Sequence, residues 1–82
     1  MQLSVEISKY PLAEDYKGPI QAFIDQLAAE QGLLVLTNTM STQIFGDYDT
    51  VMRALQRCMR WSMERYGKLV FVCKFIPGDL RP

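Results

Sequence analysis

Apolar side chains occupy every second position near the start of the chain. Within residues 2–8 the apolar positions are Leu3, Val5 and Ile7. A period of two is typical of a strand that buries one face and leaves the other polar. We therefore predict a first strand that ends around Tyr10–Leu12, because Pro11 cannot donate a backbone hydrogen bond to a neighbouring strand.

Two later segments change to the period of a helix. Residues 16–31 predict a first helix that ends at Gly32, with this buried stripe: Ile20, Phe23, Ile24, Leu27 and Ala28. A second helix is predicted between Asp47, a favourable N-cap, and Gly67. Its buried stripe is expected to comprise Val51, Ala54, Leu55, Cys58, Met59 and Met63.

Three further strands complete the pattern. They are predicted at residues 33–37, 40–45 and 68–76, with Asn38 in a turn between the first two. The order βαββαβ predicts an α+β fold of the ferredoxin-like type. We expect a four-stranded, mainly antiparallel sheet with both helices on one face, forming a single domain over residues 1–82.

The sheet face opposite the helices is predicted to be only partly polar. Ser4, Glu6 and Ser8 should lie there, since they alternate with the apolar positions of the first strand. The second and fourth strands are apolar on both faces, so aliphatic side chains should lie there too. A large apolar patch usually marks an interface, and we predict a homodimer or higher homo-oligomer formed through this face.

Composition argues against most catalytic chemistry. The chain has no histidine, which excludes Ser–His and Cys–His nucleophiles. No glycine-rich phosphate loop or metal-ligand spacing is present. We therefore predict that the protein is not an enzyme and uses no cofactor or metal. The formal net charge of zero and the lack of stacking aromatics on the first strand before Tyr10 disfavour nucleic-acid binding.

The cysteines and the hydropathy indicate the compartment. Cys58 and Cys73 lie far apart without CxxC spacing, which favours two reduced thiols in the cytosol over a disulfide. No segment approaches the roughly 18 apolar residues of a membrane span. The first residues alternate instead of forming a signal-peptide core. We expect a cytoplasmic protein without membrane insertion.

Three segments resemble the YkoF-like family, whose members bind thiamin or hydroxymethylpyrimidine. They are EISKYPL at residues 6–12, MSTQIFGDYDTVM at 40–52 and VCKFI at 72–76. The resemblance implies a ferredoxin-like fold, a non-catalytic role in binding thiamin or its pyrimidine moiety, and association through the sheets. Phe45 departs from the pattern, because many relatives carry a charged residue there.

The implied ligand suggests which side chains form the site. An aminopyrimidine needs a carboxylate for its amine, hydroxyl or amide donors for its ring nitrogens, and apolar walls. The candidate ligand-binding residues are Glu6, Ser8, Tyr10, Asn38, Ser41 and Thr42. Two alternatives remain open for Glu6, an ordinary solvent-facing acid or an ion-pair partner of Lys74. The strand hydroxyls of Ser41 and Thr42 could equally be satisfied by backbone neighbours.

Two other functions stay open from the sequence. One is a regulatory or oligomerisation module of the same fold without a thiamin-type ligand, as ACT-type domains are. The other is an enzyme whose machinery is not recognised, which the absence of histidine disfavours.

Overall fold

The computed structural model describes residues 1–11 and 17–82. Its elements are β1 (Gln2–Pro11), α1 (Lys17–Ala28), β2 (Leu34–Thr37), β3 (Thr42–Asp47), α2 (Tyr48–Tyr66) and β4 (Leu69–Pro77). Leu12 and residue 16, where we expected the first strand to end and the first helix to begin, lie outside the described residues. The predicted order of elements is confirmed.

The four strands form one antiparallel sheet in the order β2-β3-β1-β4. This is the ferredoxin-like α+β fold that the pattern predicted. Because β1 lies between β3 and β4, its side chains occupy the middle of both sheet faces. Ser4 therefore shares a face with its two cross-strand neighbours, Phe45 and Ile76. Glu6 shares the same face with Gln43 and Lys74.

The hydrophobic core lies between the sheet and the helices. Its buried members are Leu3, Val5, Ile7, Phe23, Leu27, Ile44, Val51, Leu55 and Cys58. The alternating positions of β1 supply one side of the core, as predicted. The sheet face opposite the helices, which we call the open face, carries Ser4, Glu6, Ser8 and Tyr10 of β1 and their cross-strand partners.

For two residues of the helical stripes, Ala28 and Met63, the prediction of burial is wrong. Ala28 is exposed because α1 ends there and the chain turns away through Gly32, whose φ is 84°. Met63 is 47% exposed and lies beside Phe75 on the edge strand β4. Ser62 occupies the buried position of this turn of α2 instead, with 0% exposure.

The predicted end of the first strand is confirmed, whereas the predicted start of the third strand is wrong. β1 reaches Pro11, within the predicted Tyr10–Leu12, and pairs with β4 up to Leu69. β3 begins at Thr42, two residues later than expected, and Met40 is 84% exposed in the connection from β2. The register of the neighbouring strands decides both boundaries.

The predicted ends of α2 are confirmed. The Asp47 carboxylate accepts a hydrogen bond from the Asp49 backbone N–H, which is the bond expected of an N-cap. Gly67 ends the helix with a φ of 82°, and its N–H donates to the Met63 carbonyl.

Cys58 and Cys73 are free thiols. Across residues 1–11 and 17–82, neither helix is long and apolar enough to span a bilayer.

Candidate functional site

A hollow forms where β1 extends beyond β3. β1 pairs with β3 only as far as Ile7 with Thr42, and then continues alongside β4. Beyond Ile7, β1 has no pairing partner on its β3 side, and its last residues face the β2–β3 connection instead. They enclose a hollow of about 320 Å³, which we call the hydroxyl hollow.

Five of the six predicted ligand-binding residues line the hydroxyl hollow: Ser8, Tyr10, Asn38, Ser41 and Thr42. Its apolar wall comes from α1, through Ile20, Phe23 and Ile24. Hydroxyl and amide groups thus face aliphatic and aromatic side chains across a small space. Ligand pockets commonly combine a few oriented polar groups with apolar walls in this way.

The β2–β3 connection holds its polar residues rigidly. The Asn38 side-chain oxygen accepts hydrogen bonds from the backbone N–H groups of Met40 and Ser41, both at 2.9 Å. The Asn38 N–H donates to the Ser41 carbonyl at 3.0 Å. This local bonding is the usual reason for asparagine in a turn. Since the turn uses the side-chain oxygen, Asn38 would meet a ligand through its amide nitrogen.

Glu6, the sixth predicted residue, does not line the hydroxyl hollow and is connected to it only through Ser41, which does. The Ser41 hydroxyl donates to Glu6 Oε2 at 3.1 Å, while Lys74 Nζ lies 3.4 Å from Oε1. The ion pair that we held as an alternative role is therefore present. Its side chains are 74% exposed for Lys74 and 40% for Glu6, so solvent screens the attraction and leaves it weak.

The hydroxyls of Ser41 and Thr42 already have side-chain partners. Ser41 is bonded to Glu6, and the buried Thr42 hydroxyl lies 3.4 Å from that of Thr37, where either oxygen can donate. The alternative that backbone neighbours satisfy them is not what the structure shows. A hydroxyl that donates to one partner can still accept from another, so Ser41 can serve a ligand as well as Glu6.

A second, smaller hollow of about 190 Å³ lies on the open face beneath the C-terminal residues. Ser4 Oγ donates to the Gly78 carbonyl at 2.8 Å and accepts from the Leu80 N–H at 2.9 Å. These bonds hold Leu80 at the rim of a space that Phe45 also lines. Phe45, the residue that departs from the family pattern, is only 4% exposed there.

Sequence reasoning missed Lys9, a further lining residue of the hydroxyl hollow. Lys9 is 9% exposed, and its ammonium donates to the buried Ser62 hydroxyl at 3.2 Å. Burial lowers the pKa of Lys9 to about 8. The alternation of β1 could have found it, because Lys9 continues the odd-numbered row of helix-facing residues after Ile7.

Sequence reasoning also missed Gln43, which pairs with Glu6 across β1 and β3 and lines the smaller hollow. Only the strand register identifies it. Among the described residues, no group of three or more histidine, cysteine, aspartate or glutamate side chains could hold a metal ion.

Solved structures from several organisms share this fold. A hypothetical protein of Methanocaldococcus jannascii has a TM-score of 0.81 and 20% identity, with 99% of this chain and 84% of that chain covered. A Thermotoga maritima protein, provisionally assigned to thiamine biosynthesis or salvage, has a TM-score of 0.82 and 17% identity, covering 99% and 85%. A Streptococcus pneumoniae protein has a TM-score of 0.77 and 22% identity, covering 98% and 90%.

Sequence comparison identifies the family. A search of curated proteins found no match. The profile of the YKOF-related family matches residues 2–76, which is well over half of the chain. This match covers all three segments that carry the resemblance and the sheet residues that enclose the hydroxyl hollow. The chain therefore belongs to the YKOF-related family.

Proposed function

We propose that this protein is a non-catalytic binder of thiamin or its hydroxymethylpyrimidine moiety, acting in thiamin salvage, transport or homeostasis. The observation that carries the proposal is the convergence of Ser8, Tyr10, Asn38, Ser41 and Thr42 on one hollow, with Glu6 bonded to Ser41. The family match and the Thermotoga maritima neighbour's thiamine assignment support the same ligand class.

The chemistry of the hydroxyl hollow suits an aminopyrimidine. The ring is flat and can pack against the apolar wall provided by Phe23 and Ile24. Its ring nitrogens accept hydrogen bonds, which Tyr10 and the Asn38 amide can donate. The exocyclic amine can donate to Glu6, whose two oxygens have lone pairs beyond those used by Ser41 and Lys74.

The Glu6→Gln substitution tests this proposal by calorimetric titration with thiamin and hydroxymethylpyrimidine. A charge-assisted hydrogen bond contributes about 1.5–3 kcal/mol, so its loss should weaken binding roughly ten- to a hundred-fold. Unfolding free energy should change by less than about 1 kcal/mol, because the lost ion pair to Lys74 is exposed.

Glu64→Gln is the matched control, since Glu64 pairs with Arg60 on the exposed side of α2 and is 71% exposed. It should leave affinity unchanged. If Glu6→Gln alters stability but not affinity, Glu6 serves only the ion pair. If the unmodified protein binds neither compound, the regulatory-module alternative replaces the proposal.

We also propose that two copies associate through the open face. Five large side chains there remain between 36% and 55% exposed: Tyr10, Leu34, Val70, Val72 and Ile76. Neither helix can cover them, since both pack on the other side of the sheet. An isologous contact with a second copy would remove this apolar surface from water.

A further inference from the structure

The strand β4 has a long edge with which no described residue pairs. It lies at one end of the sheet and has nine residues, whereas β2 at the other end has four. The Gly78 N–H donates to the Gln2 carbonyl at 2.8 Å, in register with the pairs between β1 and β4. Bonded pairs alternate along an antiparallel ladder, so the even-numbered residues of β4 bond to β1. The backbone groups of the odd-numbered residues 69–75 therefore point outward, away from the sheet.

An apolar groove of about 690 Å³ lies beside this edge. Three methionines of α2 line it together with Phe75 of β4: Met52, Met59 and Met63. Met63 is 47% exposed and Phe75 48%. The C-terminal residues do not cover the groove, because Ser4 bonds to Gly78 and Leu80 and holds them over the open face. Flexible methionines are common on surfaces that accept other proteins.

The edge of β4 lacks the usual protection against pairing. Proteins shield edge strands by shortness, bulges, prolines or charges. β4 pairs with β1 from Leu69 to Pro77 without a bulge, and its one proline is at its end. Its one charged side chain, Lys74, lies beside Glu6 on the open face. A strand added to this edge would place every second side chain at the groove, as in peptide recognition by strand addition.

The charge around the edge indicates which segment fits. Residues 48–77 carry six basic and two acidic side chains. Glu6 and Glu30 of other elements pair with two of these cations, which still leaves six basic side chains against four acidic ones. Arg60 lines the groove, and Lys74 is 74% exposed on the other side of β4. Complementary charge favours an acidic partner.

We propose that the β4 edge and the groove bind an extended acidic segment of another protein as a fifth strand, antiparallel to β4. Apolar side chains at alternate positions fill the groove beside Met63 and Phe75, and the carboxylates between them lie on the side of Lys74. Residues directly opposite each other share a face, so the apolar residues face the odd-numbered positions of β4 and donate their N–H groups to it. This proposal does not depend on the proposed pyrimidine binding.

The probe is a capped peptide as long as β4 in which valine alternates with glutamate, and calorimetric titration measures its affinity. N-methylation of the valines should weaken binding at least about tenfold, because it removes the N–H groups that donate to β4. N-methylation of the glutamates, whose N–H groups face solvent, should change affinity less than about twofold. Equal affinities of the two methylated peptides, or the reverse order, would overturn the proposal.

Two substitutions locate the peptide on the protein. Met63→Glu should weaken binding at least about tenfold, because it places a carboxylate in the apolar groove. Met40→Glu, the same change at an 84% exposed position in the β2–β3 connection, should leave affinity unchanged. Equal effects of the two substitutions would show that the groove is not the site. Absence of peptide binding would overturn the proposal. A mass of about four times the 9.4 kDa chain in light scattering would then assign the edge to a second copy.

Discussion

At the scale of single residues, the two thiols differ in their surroundings. Cys58 is 2% exposed in the core, and burial raises its pKa to about 11. Cys73 is half-buried on β4, and burial raises its pKa as well. A raised pKa lowers the thiolate fraction at neutral pH, and the thiolate is the reactive form. Both cysteines should therefore react slowly with a thiol reagent in the folded protein.

We predict that Cys73 is alkylated first and that Cys58 reacts only when the protein unfolds, because Cys58 is also the less accessible of the two. Iodoacetamide labelling followed by peptide mapping checks the order. In denaturant without reductant, both thiols should titrate as free. Finding no free thiol there would contradict the reduced state, and equal native rates would contradict the burial argument.

Short-range chemistry allowed several residues to be predicted. Asp47 caps α2 and Asn38 forms its turn through bonds to residues two or three positions away, which spacing alone can indicate. The hydrogen-bond partners of Lys9 and Ser4 could not be predicted in this way. Ser62, which accepts from Lys9, and Gly78, which accepts from Ser4, are distant in the chain. Only the assembled fold brings these pairs together.

At the scale of elements, β3 packs closely against the turn that precedes β2. A Cβ atom added at Gly46 would lie 2.9 Å from Leu33 Cδ2, 3.0 Å from the Gly32 carbonyl oxygen and 3.3 Å from Val51 Cγ2. The backbone oxygen cannot move away without shifting the turn. A glycine is thus required by close approach, and not by backbone conformation.

We predict that Gly46→Ala lowers the free energy of unfolding by about 1–3 kcal/mol, since overpacking forces the neighbouring turn to shift. Chemical denaturation monitored by circular dichroism measures the change. Gly67→Ala is a useful comparison. An added Cβ there meets no atom within 4 Å, but the backbone at this position has a φ of 82°. Since its ψ is −128°, this backbone conformation is nearly exclusive to glycine, and the cost of the substitution should be a backbone penalty of about 1–3 kcal/mol without any packing contribution. An unchanged unfolding midpoint for Gly46→Ala would refute the packing argument.

The sequence predicted element types and their order better than element boundaries. Periodicity identifies a strand or helix from its own residues. Pairing decides where a strand begins or ends, as the start of β3 at Thr42, opposite Ile7 and Thr37, shows. Because β1 continues beyond this pairing, it helps to form the hydroxyl hollow. The residues Ser8 and Tyr10 were therefore predicted, but the cavity that they line was not.

At the scale of the whole molecule, the sheet has one covered face and one uncovered face. On the uncovered face, polar and charged groups lie mostly on β1. Lys74 of β4 forms an ion pair with Glu6. The outer strands β2 and β4 contribute aliphatic side chains around this polar row. An association through the open face would therefore place the Glu6–Lys74 pair beside a buried apolar rim and near the hydroxyl hollow.

This arrangement makes the proposed dimer testable by introducing one charge. Val72 is 49% exposed on the open face opposite Ser8, while Met63 is 47% exposed on α2, away from that face. We predict that Val72→Glu raises the dimer dissociation constant at least about a hundred-fold, because each copy would bury an unpaired carboxylate. Met63→Glu, with nearly equal exposure and the same charge change, should leave the dimer intact. Light scattering over a concentration series should give about twice the 9.4 kDa chain mass for the unmodified protein and for Met63→Glu. A monomer at high micromolar concentration, or equal weakening by both substitutions, would show that the open face is not the interface.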